Sequence, residues 1–257
     1  MAQTQVYNAE SVENLATAFP RRKENSFAWG NVISYYLGLP QLRGFWPMSS
    51  VNESGNPYDL SGQGRILTNN NATIFGVYGL QSYTALDGVN QYHSRADETG
   101  LDITGNLTMG GWFMSADVAA NYGLMSKYLV AGNQISYLLR QTSNIVSAIV
   151  SSNGITKTTS TSTPYTISAN TWFFAAMRYI PSTSLTVFVN QNSIANIVAI
   201  PASIFNSNAD FNIGAYSNGA TELYPGKTCL NFLCAAACSD AQIQALYWLS
   251  RPLFFGT

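Results

Sequence analysis

The sequence predicts an all-β fold in which two antiparallel sheets pack face to face. Short runs with apolar side chains at every second position recur along the chain, about a dozen of them, roughly 8 to 12 residues apart. Asn, Gly and Ser punctuate those runs. Charged residues make up only 10% of the chain against 13% Tyr, Phe and Trp, a balance that suits buried strands joined by polar turns. The stretch Leu185 to Tyr216 shows all three features. Leu185, Val187 and Val189 alternate with Thr186, Phe188 and Asn190, and Asn190, Gln191 and Asn192 tolerate the left-handed backbone of a tight turn. Ile194 to Ala199 is expected to return as a second strand, and Phe211 to Tyr216 to close the block as a third.

Residues 1–41 read as an N-terminal arm. Ser11 caps an expected short helix through Glu13 to Phe19, which Pro20 stops. Arg21, Arg22 and Lys23 follow as the chain's basic cluster, either a solvated face or a contact for an acidic partner. Phe27, Trp29, Ile33, Tyr35, Tyr36 and Leu37 form an aromatic segment of helical character. So much apolar surface needs cover, from its own domain or from a neighbouring subunit.

Residues 42–238 carry the strands. Leu42 to Met48 reads as the first. Asn106 to Ser115 places Leu107, Met109, Gly111 and Phe113 on one face and Thr108, Gly110, Trp112 and Met114 on the other, so it belongs at the centre of a sheet. Thr171 to Tyr179 has the same two-sided character. Ile135 to Arg140, Asn144 to Val150 and Thr156 to Thr163 read as a meander with a polar, edge-like end. In residues 239–257, Ser239 and Asp240 cap a helix with Ile243, Leu246, Tyr247 and Leu249 near one stripe, and an apolar tail through Phe254 and Phe255 follows. The tail is expected to dock on the first segment or on a partner.

Several function classes are excluded by composition. With 12 basic against 13 acidic side chains, no global field collects nucleic acid or an anionic membrane. No stretch reaches the roughly 18 apolar residues of a membrane span, and no basic, then apolar, leader opens the chain. Activity outside a cell would then follow lysis or delivery in a particle. Cys229, Cys234 and Cys238 lack paired zinc spacings and read as buried free thiols of a chain made in a reducing compartment. Five positions apart on one strand, Cys229 and Cys234 are expected on opposite faces.

A set of motifs in order resembles a known family: D-x-S-G-x-G at Asp59 to Gly64, A-L-D-G-V-N-Q-Y at Ala85 to Tyr92, the run Leu101 to Phe113, S-K-Y at Ser126 to Tyr128, N-T-W-F-F-A-A at Asn170 to Ala176, V-F-V-N at Val187 to Asn190, F-N-I-G at Phe211 to Gly214 and S-D-A-Q-I at Ser239 to Ile243. Together they resemble the laminin G-like domains of the concanavalin A-like superfamily, over about 200 residues. The resemblance implies a jelly-roll sandwich. It also implies a structural ion held by the D-x-S-G loop and an acid on the last strand, but that strand here reads G-K-T-C-L-N-F-L-C, with Thr228 to Leu230 where relatives carry acids.

Hydrolases of this fold set two carboxylates on one strand, and no such spacing occurs here. Only Asp97 and Glu98 adjoin, and strand neighbours face opposite ways. His93 has no nucleophile motif beside it and reads as a sheet-surface residue. No phosphate-binding glycine loop is present. Calcium has local support from Asp59, Asp87 and Asn90, set against a metal-free hydrogen-bonded loop. Sugar binding has candidate stacking rings in Tyr122, Tyr128, Tyr137, Tyr216 and Tyr224, each of which reads equally as a packing residue.

The chain is therefore expected to be a non-enzymatic structural or adhesion protein that needs no cofactor and sits at the surface of a phage or other virion. Its partners would be copies of itself, other virion proteins or glycans. Arg21, Arg22, Lys23, Phe27, Trp29, Phe254 and Phe255 would carry the assembly contacts. The alternative is a stand-alone lectin-like module outside the cell or on its surface.

Overall fold

The structure, a computed structural model, describes residues 23–79 and 81–255, with side chains in the first helix from residue 30 onward. It is a two-sheet sandwich with a helical layer on one side. Sheet A runs β13 (Asn192–Asn196), β12 (Ser184–Val189), β11 (Trp172–Ile180), β6 (Leu107–Ser115), β15 (Pro225–Cys234), β4 (Gln81–Asp87) and β3 (Ile74–Tyr78), while β1 (Leu42–Trp46) pairs with the second half of β15. Sheet B runs β10 (Lys157–Thr161), β9 (Ile145–Gly154), β8 (Gln134–Thr142), β7 (Asn121–Leu129), β14 (Phe211–Ile213), β5 (Tyr92–Arg95) and β2 (Thr68–Asn70). The strand pairings are antiparallel.

The helices α1 (Lys23–Leu37), α2 (Asp240–Ser250) and α3 (Pro252–Phe255) cover the outward face of sheet A. Trp112 of β6 lies under them, stacked on Tyr247 and Phe254 with ring centroids 5.7 and 4.3 Å away, and its Nε1 donates to Ser250 at 2.7 Å. Tyr36 of α1 stacks on Phe45 at 4.7 Å. Sheet A is thus buried on both faces, which is why β6 and β11 carry apolar groups at consecutive positions. Val32, Tyr36, Leu246 and Phe254 share one continuous core with the sandwich. Between the sheets, Trp46 stacks on Phe211 at 5.2 Å. At Gly111 an added Cβ would sit 2.5 Å from the Asn231 amide, so this crossing requires glycine.

Three sequence expectations change in detail. The returning strand stops at Asn196, whose side chain accepts from the Val198 N–H and turns the chain away. The third strand of that block is Phe211–Ile213 and belongs to sheet B, between β7 and β5. Cys229 and Cys234 share a face: they pair with Trp112 and Thr108, which stand an even number of positions apart on β6. A bulge between Cys229 and Phe232, with Leu230 at φ 50°, adds the residue that restores parity. All three cysteines are buried and free.

Candidate functional site

Among the described residues no helix lies on the outward face of sheet B, and the alternation of its strands decides what that face presents. Tyr137 and Leu139 of β8 and Val146, Ala148 and Val150 of β9 join the main core. Leu138 and Ile149 point the other way and form a small outward cluster with Tyr128 of β7, against which Tyr216 packs. Arg140 follows Leu138 on the same outward face. The loop after β14 lies along β7, fastened by Ser126 Oγ donating to the Ala215 carbonyl at 2.9 Å and Ser217 N donating to the Tyr128 carbonyl at 2.8 Å.

This brings Tyr216 edge-on to Tyr128, centroids 5.1 Å apart, with the Lys157 ammonium 5.5 Å over the Tyr128 ring. Arg140 pairs with Glu222 at 3.6 Å, and its Nε donates to Thr142 Oγ1 at 3.1 Å. Burial, followed by a hydrogen bond with Glu222, raises the Tyr216 pKa above the ordinary phenol value, so Tyr216 stays a neutral donor at physiological pH. An aromatic ring beside a guanidinium, a carboxylate and hydroxyls can stack on an apolar ligand face and hydrogen-bond its polar edge.

The other predicted rings are placed differently. Tyr122 is half-buried near the start of β7, packs against the main core and donates to Asp117 at 2.5 Å; that bond, then burial, pushes its pKa up to about 12. Tyr224 is fully buried, edge-on to Tyr122 and Phe113, and Tyr137 is fully buried with its hydroxyl donating to the Leu101 carbonyl at 2.9 Å. Tyr128 is 2% exposed. As binding residues Tyr137, Tyr224 and Tyr128 are corrected to packing residues, because each ring is covered by its own chain. Tyr216 keeps an accessible edge. Arg140, Lys157 and Glu222 are not singled out by the sequence; the available signal is a charge placed within or beside outward-facing strand positions in a chain with few charges.

The calcium candidates do not meet. Asp59 accepts from the Phe45, Ser61 and Arg65 N–H groups, and Asp87 from Val89, Asn90 and Gln91. Phe45 pairs with Phe232 and Asp87 with Pro225 on the same strand, seven positions apart, so Asp59 and the Asp87–Asn90 turn are separated by roughly 20 Å. Each carboxylate binds its own loop backbone instead. His93 is also corrected. It is fully buried between the sheets, its Nε2 3.0 Å from Thr84 Oγ1 and its Nδ1 without a partner, and burial lowers its pKa to about 3.

The adjoining acids Asp97 and Glu98 go to different cations. Lys127, fully buried, contacts Asp97 and the Ser207 carbonyl and reaches Ala209 O at 3.0 Å and Asp102 at 3.3 Å. Glu98 binds Arg65 and Arg95. Arg21 and Arg22 lie outside the described residues, as do the side chains of Lys23, Phe27 and Trp29. Phe254 is buried against Trp112 and Trp172, and Phe255 stays 46% exposed.

No protein-family model and no curated protein matches the chain. Solved structures with the same fold are found. The binding domain of Paraclostridial Mosquitocidal Protein 1 aligns with a TM-score of 0.65 and 10% identity over 80% of this chain and 52% of that one. The botulinum neurotoxin serotype D ligand-binding domain in complex with N-acetylneuraminic acid aligns at 0.63, with 10% identity over 84% and 52%. The binding domain of botulinum neurotoxin DC in complex with rat synaptotagmin II aligns at 0.62, with 11% identity over 84% and 52%. The chain spans about half the length of these structures. They share its β-sandwich fold.

Proposed function

We propose that this chain is a non-catalytic recognition module that binds a glycan or a surface protein through the outward face of sheet B. One observation carries the reading: sheet A is closed by the chain's own helices, whereas on sheet B Tyr216, Arg140, Glu222 and Lys157 come together on a face where no described helix lies. The solved neighbours support it, being binding domains, one described with a sialic acid and one with a protein receptor. No cofactor enters this recognition. A glycan array probed with the intact chain and with Tyr216→Ala, each with and without a chelator, tests it. Binding that weakens at least about tenfold in the variant and ignores the chelator is expected. Unchanged binding by the variant contradicts the site, and loss under the chelator contradicts the metal-free reading.

A second reading, compatible with the first, makes the module a laminin G-like component of a virion surface, with an extracellular or cell-surface setting as the alternative. Its support is the outer side of the helical layer, where Trp248, Leu249 and Phe255 are 51%, 43% and 46% exposed. Light-scattering mass of the purified chain tests it: an assembly supports the reading, and a monomer at high concentration counts against it. Among the described residues no helix is long and apolar enough to cross a membrane.

A further inference from the structure

Among the described residues, basic side chains are almost all spoken for. Arg65 and Arg95 bind Glu98, Lys127 binds Asp97 and Asp102, Arg140 binds Glu222 and Arg178 binds Asp240. Lys157, Lys227 and Arg251 lie over the rings of Tyr128, Tyr83 and Phe255. Among the basic side chains described, Arg43 alone has no ion pair, side-chain hydrogen bond or aromatic partner. It stands at an irregularity of β1, between the positions where Leu42 pairs with Cys234 and Gly44 with Leu233. It lines a cavity of about 140 Å³ with Thr99, Gly100, Asp102, Thr104 and Asn106.

The walls of that cavity are fixed by its neighbours. Arg65 Nη1 donates to the Arg43 carbonyl at 2.7 Å, and a side chain at Gly100 would strike the Arg65 guanidinium, so β1, the segment at Arg65 and the turn at Gly100 are packed tightly together. The acids nearby are already engaged: Asp102 is held 3.3 Å from Lys127, Glu98 by two arginines and Asp59 by three backbone N–H groups. None answers Arg43. A half-buried arginine whose guanidinium has no partner, at the wall of a cavity lined by polar groups, suits a planar carboxylate held by two parallel hydrogen bonds. Thr99, Thr104 and Asn106 add hydroxyl and amide groups, and Asp102 adds an acceptor, matched to the hydroxyls around a sugar ring.

We infer that this cavity binds a single acidic sugar unit, with Arg43 taking its carboxylate and the loop from Thr99 to Asn106 taking its hydroxyls. The site is separate from the outward face of sheet B and stands even if that face binds nothing. Amide spectra of the intact chain, titrated with sodium glucuronate, glucose or acetate, test it directly. Glucuronate shifts the Gly100, Gly105 and Asn106 signals saturably, while glucose gives no saturable shift and acetate binds about tenfold more weakly. Arg43→Ala weakens glucuronate binding at least about tenfold. Because Arg43 has no partner to lose, the melting temperature of this variant stays at the wild-type value, which separates lost binding from lost fold. Tyr216→Ala leaves the glucuronate titration unchanged, which separates this site from the face of sheet B. No saturable shift up to about 50 mM, or equal binding by Arg43→Ala, overturns the inference. Acetate binding as tightly as glucuronate reduces the site to a bare anion site and overturns the sugar assignment.

Discussion

Lys127 and His93 show how far single residues here depart from their usual environments. Lys127 is fully buried yet meets two carboxylates and two carbonyls, so its charge is compensated on every side. Lys127→Met leaves Asp97 and Asp102 without their cation and is expected to cost about 3 to 5 kcal/mol in urea unfolding. A loss below 1 kcal/mol would show the network to be dispensable. His93 is buried neutral, with a folded pKa of about 3 against 6.5 in the unfolded chain. Between those values the unfolded chain binds a proton that the folded one refuses, so stability rises with pH across the window and falls as acid is added. From pH 7 to pH 5 the chain should lose about 2 kcal/mol, and His93→Gln should flatten that slope. Neither role was legible in the sequence: both residues sit in strands whose pattern fits either face, and only the approach of the loops at Asp97 and Ser207, or of Thr84 from the opposite sheet, decides it. The thiols were legible. Burial raises the pKa of Cys229, while in Cys234 a hydrogen bond with Cys238 adds to burial, and a thiol reagent should label none of the three until the chain is unfolded.

At the scale of elements, period and capping carried most of the information. Ser239 caps α2 with a full capping box, its Oγ accepting from Gln242 N at 3.2 Å and Gln242 Oε1 accepting from Ser239 N at 2.8 Å. Ser239→Ala should cost about 1 kcal/mol by denaturant midpoint. β6 and β11 announced themselves as central strands by apolar groups on both faces, and β10 as an edge by its run of Thr and Ser. Bulges were not legible. The one at Leu230 is spanned by a local bond from the Asn231 amide to Thr228 Oγ1, which the alternation of apolar residues does not announce, and it puts Cys229 and Cys234 on one face rather than two. The tail shows the same division. Its apolar character was plain, but its partner turned out to be Trp112 of the same chain, so Phe254→Ala should cost about 3 to 5 kcal/mol of monomer stability. A stable variant that changes only oligomeric mass would return Phe254 to an assembly role.

On the scale of the whole molecule, the layers set what each surface can do. Helices, sheet A and sheet B lie one on the next, so the proposed recognition is assigned to the face of sheet B on which no described helix lies and to the cavity beside Arg43. The two-sheet fold was readable because alternation and turn residues agree along its length. The candidate face was only partly readable: of the five predicted rings Tyr216 keeps an accessible edge there and Tyr122 packs against the main core, while Arg140, Lys157 and Glu222 join from separate segments that meet only in the folded chain. Amide hydrogen exchange of the intact chain, with and without the strongest glycan from the array, tests this most directly. Slower exchange in residues 134–151 and 214–222 upon binding is expected; slowing confined to residues 239–255 would contradict the assignment of sheet B as the recognition face.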